Sequence, residues 1–596
     1  EDIQAYNPYA FFDSRNPKQT RQQLNGSIYL DWNVFKGFTA HIDYALSFSN
    51  YFQKRADTPT GAAYDFQTGK DIGRYYVADN VGVSDNNTTN YKTQLNGRLQ
   101  YETTIAQNHN IGAMFVYSEE YWHTRSTGAS RNDRIHPSTS EINAALTNVQ
   151  SNSGSSASEG LRSYIGRMNY SAYDKYLLEF SFRVDGSSKF IKGHQYGFFP
   201  TVAVGWRFTE EEFLKKYLSS WLSSGKLRAS WGKLGDNSGV DRFEQLETLT
   251  AMNYMSSDVV KGFVNKKMIN KDLSWEVSTD INVGLDLGFL NNRLRTEIDF
   301  YNRLRTGMNR PSQMSIHLTG AYSAPRANIG DLLNRGLELN LTWKDKIGNV
   351  EYSVNLNGAY NRTVLKEWNE FLSRGWVYLD MPYHFLYVYE NNGIAQTWQD
   401  IYNNTPQGLS PGDVIRKDLN GDGIIDGKDK KAYPNIQRDR PTTTYGITLQ
   451  AAWKGFDISM LFNGGLGRKD FWLTDFNNTA FADRRYASTW DHWTEPWSLE
   501  NRGGEWPRLG TSTDRSDNSY WLYNMNYLRM KNIMLGYNLP KKLLSKISMT
   551  NLRIYASAEN LFTVTQYPGL DPEKKNSARD LYPINRSFSI GLNVSF

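Results

Sequence analysis

The chain has 596 residues, carries a formal net charge of +5 and contains no cysteine. The absence of cysteine excludes disulfide bonds, thiolate metal sites and a cysteine nucleophile. No Lys/Arg block or basic stripe points to nucleic acid, and no apolar run reaches the roughly 18 residues of a transmembrane helix.

This composition is compatible with a membrane β-barrel. Only 39% of the residues are hydrophobic, whereas 14% are aromatic, with 38 Tyr and 17 Trp. Barrel strands alternate lipid-facing and lumen-facing residues, so they need little overall hydrophobicity. Tyr and Trp suit membrane interfaces, and they also suit carbohydrate and partner surfaces.

Period-2 alternation of apolar and polar residues predicts seventeen strands. In the last of them, Phe588, Ile590 and Leu592 fall on one face, and Ser589 and Asn593 fall on the other. The predicted strands span residues 27–36, 38–50, 90–104, 109–123, 158–173, 176–186, 196–209, 226–236, 273–290, 293–308, 331–345, 350–365, 440–453, 456–467, 524–538, 551–562 and 585–596.

The lengths of the connections distinguish a barrel from other β folds. Most turns on one side are tight, as at Lys36-Gly37 and Lys454-Gly455, although one carries a short helical link at 211–224. The intervening connections are mostly long, as at 366–439 and 468–523. An outer-membrane barrel has short periplasmic turns and large external loops. We therefore expect an all-β fold, a transmembrane antiparallel up-and-down β-barrel.

The number of predicted strands is odd. The first and last predicted strands both run toward the short-turn side, whereas bacterial single-chain barrels have an even number of strands. We therefore expect that a further N-terminal piece with an odd number of strands completes the wall.

Several segments resemble the SusC/RagA family of TonB-dependent transporters of Bacteroidota. The matching segments are D-G-S-S-K-F at 185–190, Y-G-F-F-P-T-V-A-V-G-W-R-F at 196–208, K-L-R-A-S-W-G-K-L-G-D-N at 226–237, N-I-G-D-L-L-N-R-G-L-E-L at 328–339, P-G-D-V-I-R-K-D-L-N-G-D-G-I-I-D at 411–426, Y-L-R-M-K-N-I-M-L-G-Y-N-L-P at 527–540 and N-L-R-I-Y-A-S-A-E-N-L-F-T at 551–563.

The resemblance implies a barrel of roughly 22 strands, with a plug domain, a TonB box and a SusD-like surface lipoprotein as a lid. Residues 1–596 would then be the C-terminal part of the barrel, with the plug, TonB box and first strands outside this chain. The implied cargo is an oligosaccharide, with peptide as the second choice.

Residues 418–429 read D-L-N-G-D-G-I-I-D-G-K-D and match a twelve-residue calcium loop. Gly423 stands where such a loop turns sharply, and no helices flank the segment. We expect a structural calcium ion in an external loop, and a surface turn without metal is the competing interpretation. The predicted ligands are Asp418, Asn420, Asp422, the Ile424 carbonyl, Asp426 and Asp429.

Aromatic residues of the long loops are candidates for substrate contact, because flat rings with a polar edge stack on sugar faces. Packing of the loops on themselves is the competing interpretation for each residue. The predicted substrate-binding residues are Tyr383, His384, Tyr387, Trp490, Trp493 and Trp497, and Trp506 and Trp521 lie in the same loops.

Alternation places several charged residues in the barrel interior, where they would face a plug or a solvated lumen. These residues are Arg183, Glu297, Asp299, Glu351 and Arg553. Catalysis finds no support, because the eight His form no H-E-x-x-H motif, and neither a nucleophile elbow nor a phosphate loop is present.

Three functions are compatible with these features. The first is active import of an oligomeric nutrient across the bacterial outer membrane, with a SusD-like lipoprotein, a plug segment, the TonB complex and outer-membrane lipid as partners. The second is a passive outer-membrane channel. The third is a calcium-dependent surface protein that binds carbohydrate, which requires the apolar faces to be buried between sheets.

Overall fold

The computed structural model describes most of the chain. The described residues are 17–56, 60–65, 70–77, 82–132, 139–146, 150–218, 221–255, 259–265, 267–315, 317, 323–370, 378–383, 385–471, 495–508, 518–544, 549–574 and 584–595.

A single antiparallel sheet of seventeen strands dominates these residues, as the alternation predicted. Its strands are β1 (Lys18–Phe35), β2 (Phe38–Ala56), β3 (Val83–Ile105), β4 (His109–Arg131), β5 (Gln150–Ala172), β6 (Tyr176–Ser187), β7 (Tyr196–Trp206), β8 (Leu222–Asp236), β9 (Glu276–Phe289), β10 (Leu294–Pro311), β11 (Arg326–Ile347), β12 (Val350–Trp368), β13 (Thr443–Trp453), β14 (Phe456–Leu466), β15 (Tyr527–Asn538), β16 (Asn551–Thr565) and β17 (Ser587–Ser595).

Each strand pairs with the strand that follows it in the sequence, so the sheet is an up-and-down meander. The tight turns all lie at one end of the strands, which we call the short-turn side and which also carries the links 207–221 and 539–550. Most connections at the other end, the long-loop side, are long. Among the described residues no pairing joins β1 to β17, so these two strands are the edges of the sheet.

The two faces of the sheet differ in polarity. On β6, Leu178 and Phe180 point to one face and are 46% and 40% exposed, while Glu179 points to the other. On β17, Ile590 is 85% exposed. A soluble protein rarely leaves so many neighbouring apolar side chains uncovered, and a second sheet packed on this face would bury them. The apolar face is therefore suited to lipid, which disfavours a sandwich.

Small elements lie outside the wall. The helices within the described ranges are α1 (Glu212–Leu218), α2 (Trp398–Tyr402) and α3 (Lys541–Leu544), with 3-10 turns at Ile142–Ala144, Phe208–Glu210, Gly427–Asp429 and Ser519–Trp521. Two-stranded pairs join Thr60–Asp65 to Lys70–Val77, Leu249–Met255 to Val259–Asn265, Phe385–Tyr389 to Lys430–Gln437, Asn391–Ile394 to Val414–Arg416, and Lys469–Phe471 to Leu522–Asn524.

In the part of the chain that the structure describes, no helix has the length and apolar character to cross a membrane.

The sequence also predicted the tight turns correctly. Backbone angles there lie in the left-handed region, with φ of 59° and 61° at Asn291 and Asn292 and 93° at Gly455. Asn and Gly tolerate this conformation better than other residues, so these sequences end strands in short reversals. Helix α1 lies within the predicted helical link 211–224, although β8 already begins at Leu222.

Candidate functional site

Three long connections pack together at the long-loop side. They follow β12 (369–442), β14 (467–526) and β16 (566–586), and we call their described parts the loop platform. Within the first connection, strand Phe385–Tyr389 pairs with Lys430–Gln437, and Asn391–Ile394 pairs with Val414–Arg416. These pairings give the connection a fixed backbone of its own.

A buried apolar cluster joins the first connection to the second. Tyr433 and Trp506 pack against it from its edge. Burial of such side chains contributes about 1.5–3 kcal/mol each, so the cluster is a stable core rather than a surface contact. Its fully buried members are Leu386, Val388, Phe471 and Trp521.

Polar bonds fix the same two connections to each other. The Arg508 guanidinium donates to both carboxylate oxygens of Asp413, at 2.9 and 3.2 Å, and Asp413 is buried. The Trp497 indole N–H donates to Gln396 Oε1 at 2.9 Å, and the Gly503 N–H donates to the same oxygen at 2.8 Å. The Arg508–Asp413 contact is charge-assisted and bidentate, so it adds both strength and a defined geometry.

The third connection is held by a buried arginine. Arg468 is 1% exposed and donates to the backbone carbonyls of Arg438, Pro572, Glu573 and Lys574 at 3.0–3.1 Å. The three connections therefore form one packed unit above the barrel wall. The sequence did not single out Arg468, because its four acceptors are backbone carbonyls from distant parts of the chain.

The platform also exposes two aromatic rings side by side. Trp398 and Tyr402 lie one turn apart on α2, are 54% and 76% exposed, and have ring centroids 6.4 Å apart. The helix begins with a capping box in which Thr397 and Asp400 exchange hydrogen bonds. The N–H of Thr397 and other donors hold the pKa of Asp400 below its usual value, so the cap stays charged. Sequence reasoning missed this pair, although T-W-Q-D is a capping-box signal.

The structure places the predicted aromatic site residues in different surroundings. The Tyr387 ring is tilted against those of Phe385 and Tyr378, at 6.1 and 6.0 Å between ring centroids, and its hydroxyl donates to the Gly427 carbonyl. The Tyr383 ring lies 5.8 Å from the Arg310 guanidinium. His384, Trp490 and Trp493 lie outside the described residues.

Trp497 was predicted to contact substrate, and the structure assigns it a packing role instead. It is 6% exposed, and its indole lies so close to Gly412 that a Cβ added there would be 2.5 Å from the ring. Trp521 is also buried, and Trp506 packs on the cluster. For these residues the competing interpretation, packing of the loops, is the one the structure favours.

The Asp-rich segment 418–429 forms a compact turn held by its own backbone. The N–H groups of Gly421 and Gly423 donate to Asp418, and those of Leu419 and Asp426 donate to Asp429. Burial raises the pKa of Asp418, but these N–H bonds outweigh that effect and hold it below the usual range.

The acidic side chains of this turn are spread out rather than gathered. Among the described residues no group of three or more His, Cys, Asp or Glu side chains is placed to hold a metal ion. The Lys428 ammonium lies 3.6 Å from Asp422 and 3.8 Å from Asp426, where it offsets their charge. A cation could bind here only if the carboxylates converged and Lys428 moved away.

The inward face of the wall is lined by matched charges. Arg228 donates to both Asp286 and Asp299 at 2.7–3.0 Å, and Arg553 pairs with Asp457. A cavity of about 1290 Å³ borders inward side chains that include Arg167 and Glu179.

The predicted interior charges belong to the same pattern of short-range pairing. Arg183 donates to Asp185, Glu351 pairs with Lys346, and Glu297 accepts from the Asn340 amide. The interior is therefore a polar surface whose charges are largely compensated within the wall.

Comparisons with known proteins agree with this architecture. A family model described as TonB dependent receptor-like, beta-barrel matches residues 2–406. The TonB-dependent receptor P3 of Formosa agariphila is 28% identical over 93% of this chain and 59% of its own length. The TonB-dependent receptor SusC of Bacteroides thetaiotaomicron is 28% identical over 99% of this chain and 57% of its own length.

A solved structure of the RagAB peptide transporter has the same fold. It superposes with a TM-score of 0.83 and 21% identity, covering 98% of this chain and 63% of that chain. The chain thus spans less than two thirds of the length of each of these relatives.

We predict that the Arg508–Asp413 bond holds segment 495–508 on the platform. Arg508→Ala removes a charge-assisted bond to a buried carboxylate, which costs about 1.5–3 kcal/mol of local stability. Amide hydrogen exchange in 495–508 should then accelerate about tenfold or more, while exchange in β13 and β14 is unchanged. Exposed Arg502, which has no ion pair among the described residues, gives the matched control Arg502→Ala; equal rates in both variants would contradict the prediction.

Proposed function

Because the chain belongs to the TonB dependent receptor-like β-barrel family, we propose that it forms most of the wall of an active importer for an oligomeric nutrient. The family and the lipid-suited outer face place the barrel in the bacterial outer membrane. The matched relatives are receptors and transporters by name, and we propose no enzymatic activity.

The loop platform is the observation that carries this proposal. It is a packed unit with its own buried cluster, it lies on the long-loop side, and it presents exposed aromatic rings. External loops of outer-membrane barrels are the long ones, so the platform would face the medium. A simple pore has no need of such a capture surface, whereas an importer that must first retain its cargo does.

The two edge strands of the sheet, β1 and β17, are evidence that the wall continues beyond these seventeen strands. Consecutive antiparallel strands reverse direction, so β1 and β17 run the same way and cannot close on each other as antiparallel neighbours. Nearly all residues of both strands are exposed. An odd number of further strands, about five, would close an antiparallel wall of roughly 22 strands. We infer that a polypeptide segment outside residues 1–596 supplies them together with a plug.

The partners are proposed from the relatives. The relatives are named SusC and TonB-dependent receptors, and the solved neighbour is described as the RagAB transporter. In our proposal a SusD-like lipoprotein closes over the loop platform, and the TonB complex acts on the plug to open the lumen. Such a lid must open to admit cargo, so exposed Leu419 and Ile424, on the same connection as α2, would be covered only while it is closed.

The preferred cargo is an oligosaccharide, with peptide second. The Trp398–Tyr402 pair offers two adjacent aromatic faces on which sugar rings could stack, with Gln399 and Asn403 beside them as hydrogen-bonding groups. The description of the RagAB relative as a peptide transporter keeps peptide as the alternative.

We predict that uptake needs both the aromatic pair and the proton gradient. The test uses native cells that carry the whole transporter and measures uptake of labelled oligosaccharide and peptide mixtures. Trp398→Ala/Tyr402→Ala should weaken capture about tenfold, because each ring contributes about 0.5–1.5 kcal/mol, and a protonophore should stop uptake by the unchanged protein. The cargo class is the one whose uptake falls in the variant.

The matched control is Phe213→Ala/Tyr217→Ala on α1. These rings have the same spacing and are 64% and 74% exposed, but α1 lies on the short-turn side. Equal losses in both variants would argue against capture at α2. Uptake that continues with the protonophore would favour a passive channel over an importer.

We also propose that segment 418–429 takes up Ca²⁺ as a structural ion of the platform. The oxygen-rich sequence supports this, while the spread carboxylates and Lys428 mean that the turn must rearrange on binding.

The calcium proposal predicts that millimolar Ca²⁺ slows amide exchange in 418–429 of the purified protein, whereas Mg²⁺ does not, because it demands a smaller octahedral site. Asp418→Asn/Asp422→Asn should abolish the effect. Asp174→Asn, in a turn on the opposite side, is the control. No change in exchange with Ca²⁺ would identify the segment as a metal-free turn.

A further inference from the structure

Two arginines face each other across neighbouring strands of the wall. Arg335 of β11 and Arg362 of β12 are directly paired in the register of the sheet. They share a face with Leu337 and Tyr360, which are 48% and 49% exposed and belong to the lipid-suited outer face. The opposite face carries Tyr301, whose hydroxyl accepts from the inward Asn361 amide. The two guanidinium groups therefore lie on the outside of the barrel.

Their depth follows from the β11–β12 hairpin. Arg335 precedes Ile347, the last residue of β11, by about twelve residues, and Arg362 follows Val350 by the same count. With a strand rise of about 3.3 Å and a tilt of about 40°, both arginines stand about 30 Å from the short-turn end. The apolar band of such barrels is about 25 Å tall. The pair thus lies just beyond it, at the headgroup level of the leaflet on the long-loop side.

Among the described residues no carboxylate forms an ion pair with either arginine. Arg335 donates to Asn302 Oδ1 at 2.7 Å, and the next residues on the same face, Leu333 and Val364, are apolar. Within the described residues Arg362 has neither a hydrogen bond nor an ion pair, and its Nε is buried without a partner. Like charges directly opposite each other destabilise a sheet.

The wall uses a different arrangement at another outward arginine. Arg162 of β5 lies opposite Glu119 of β4, and their side chains form an ion pair at 3.0 Å. The fold can therefore place a carboxylate opposite an arginine on this face, and at β11–β12 it places a second arginine instead.

We propose that Arg335 and Arg362 together bind the phosphate group of a lipid headgroup in the leaflet that faces the long loops. A phosphate between the two guanidinium groups offsets their repulsion and accepts hydrogen bonds from the N–H groups of Arg362. Arg is the side chain best suited to this, because its planar fork binds phosphate oxygens in a bidentate manner. The site is independent of the importer proposal, since it involves only the wall and its lipid.

The test measures lipid binding to the purified protein in neutral detergent by native mass spectrometry. The probes are dioleoyl phosphatidic acid, which has an exposed phosphate monoester, and dioleoyl phosphatidylcholine, which has a zwitterionic headgroup. We expect Arg335→Gln/Arg362→Gln to weaken phosphatidic acid binding about tenfold, with phosphatidylcholine unaffected. The charge-conserving variant Arg335→Lys/Arg362→Lys should weaken phosphatidic acid binding about threefold, because lysine keeps the charge but cannot bind phosphate oxygens in a bidentate manner.

Arg125→Gln is the matched control, because Arg125 of β4 lies opposite Thr89 and Ser156 rather than another arginine. Heat-modifiable migration in gels shows whether each barrel is folded. If the glutamine variant does not fold, phosphatidic acid binding by the lysine variant tests the proposal, and unchanged binding by that variant would then overturn it. Equal phosphatidic acid binding by the original, glutamine and control proteins would overturn the proposal. Displacement of the lipid by equimolar inorganic phosphate would also overturn it, by identifying a free-anion site.

Discussion

The structure depends on one constraint, that backbone N–H and C=O groups in a bilayer must bond to other backbone groups. A continuous ladder of seventeen strands satisfies this, and each strand then presents one face to lipid and one to the interior. The alternation of apolar and polar residues is a direct consequence. The tight turns follow as well, because antiparallel neighbours that bond along their whole length can be joined by two-residue reversals.

The connections on the long-loop side lie outside the bilayer, so this constraint does not apply to them, and three of them form the loop platform. The loop platform is stabilised as a soluble domain would be, by a buried cluster around Trp521 and by Arg468, which donates to four distant backbone carbonyls. Burial also raises the pKa of Tyr523 to about 12, so its phenol stays neutral within the platform. A rigid platform loses little entropy when it binds a lid or a cargo, which fits a capture surface.

Much of the wall could be predicted from the sequence, because strand alternation and turn residues are local signals. The predicted bounds failed where strands continue beyond the bilayer. β3 begins at Val83 rather than at residue 90, since polar residues such as Asn87 and Thr88 pair with β4 without any apolar alternation. The register of β11 and β12 follows from the position of their turn. A two-residue turn after Ile347 fixes the pairing and brings Arg335 opposite Arg362.

The platform was much less predictable, because its contacts join segments about a hundred residues apart. Trp497 has the sequence context of an exposed loop residue, and only the approach of Gly412 and Gln396 buries it. Trp398 and Tyr402 are noticeable only once α2 is known to begin at Thr397 and to leave them uncovered.

Surface labelling tests the central claim, that the platform faces the medium and the tight turns face the periplasm. Because the chain has no cysteine, single cysteines at Leu419 in the platform and at Asn349 in a tight turn can be compared in intact cells with a membrane-impermeant maleimide. The account predicts that Leu419→Cys is labelled at once, and that Asn349→Cys is labelled only after the outer membrane is broken. Labelling of Asn349→Cys but not Leu419→Cys in intact cells would contradict it.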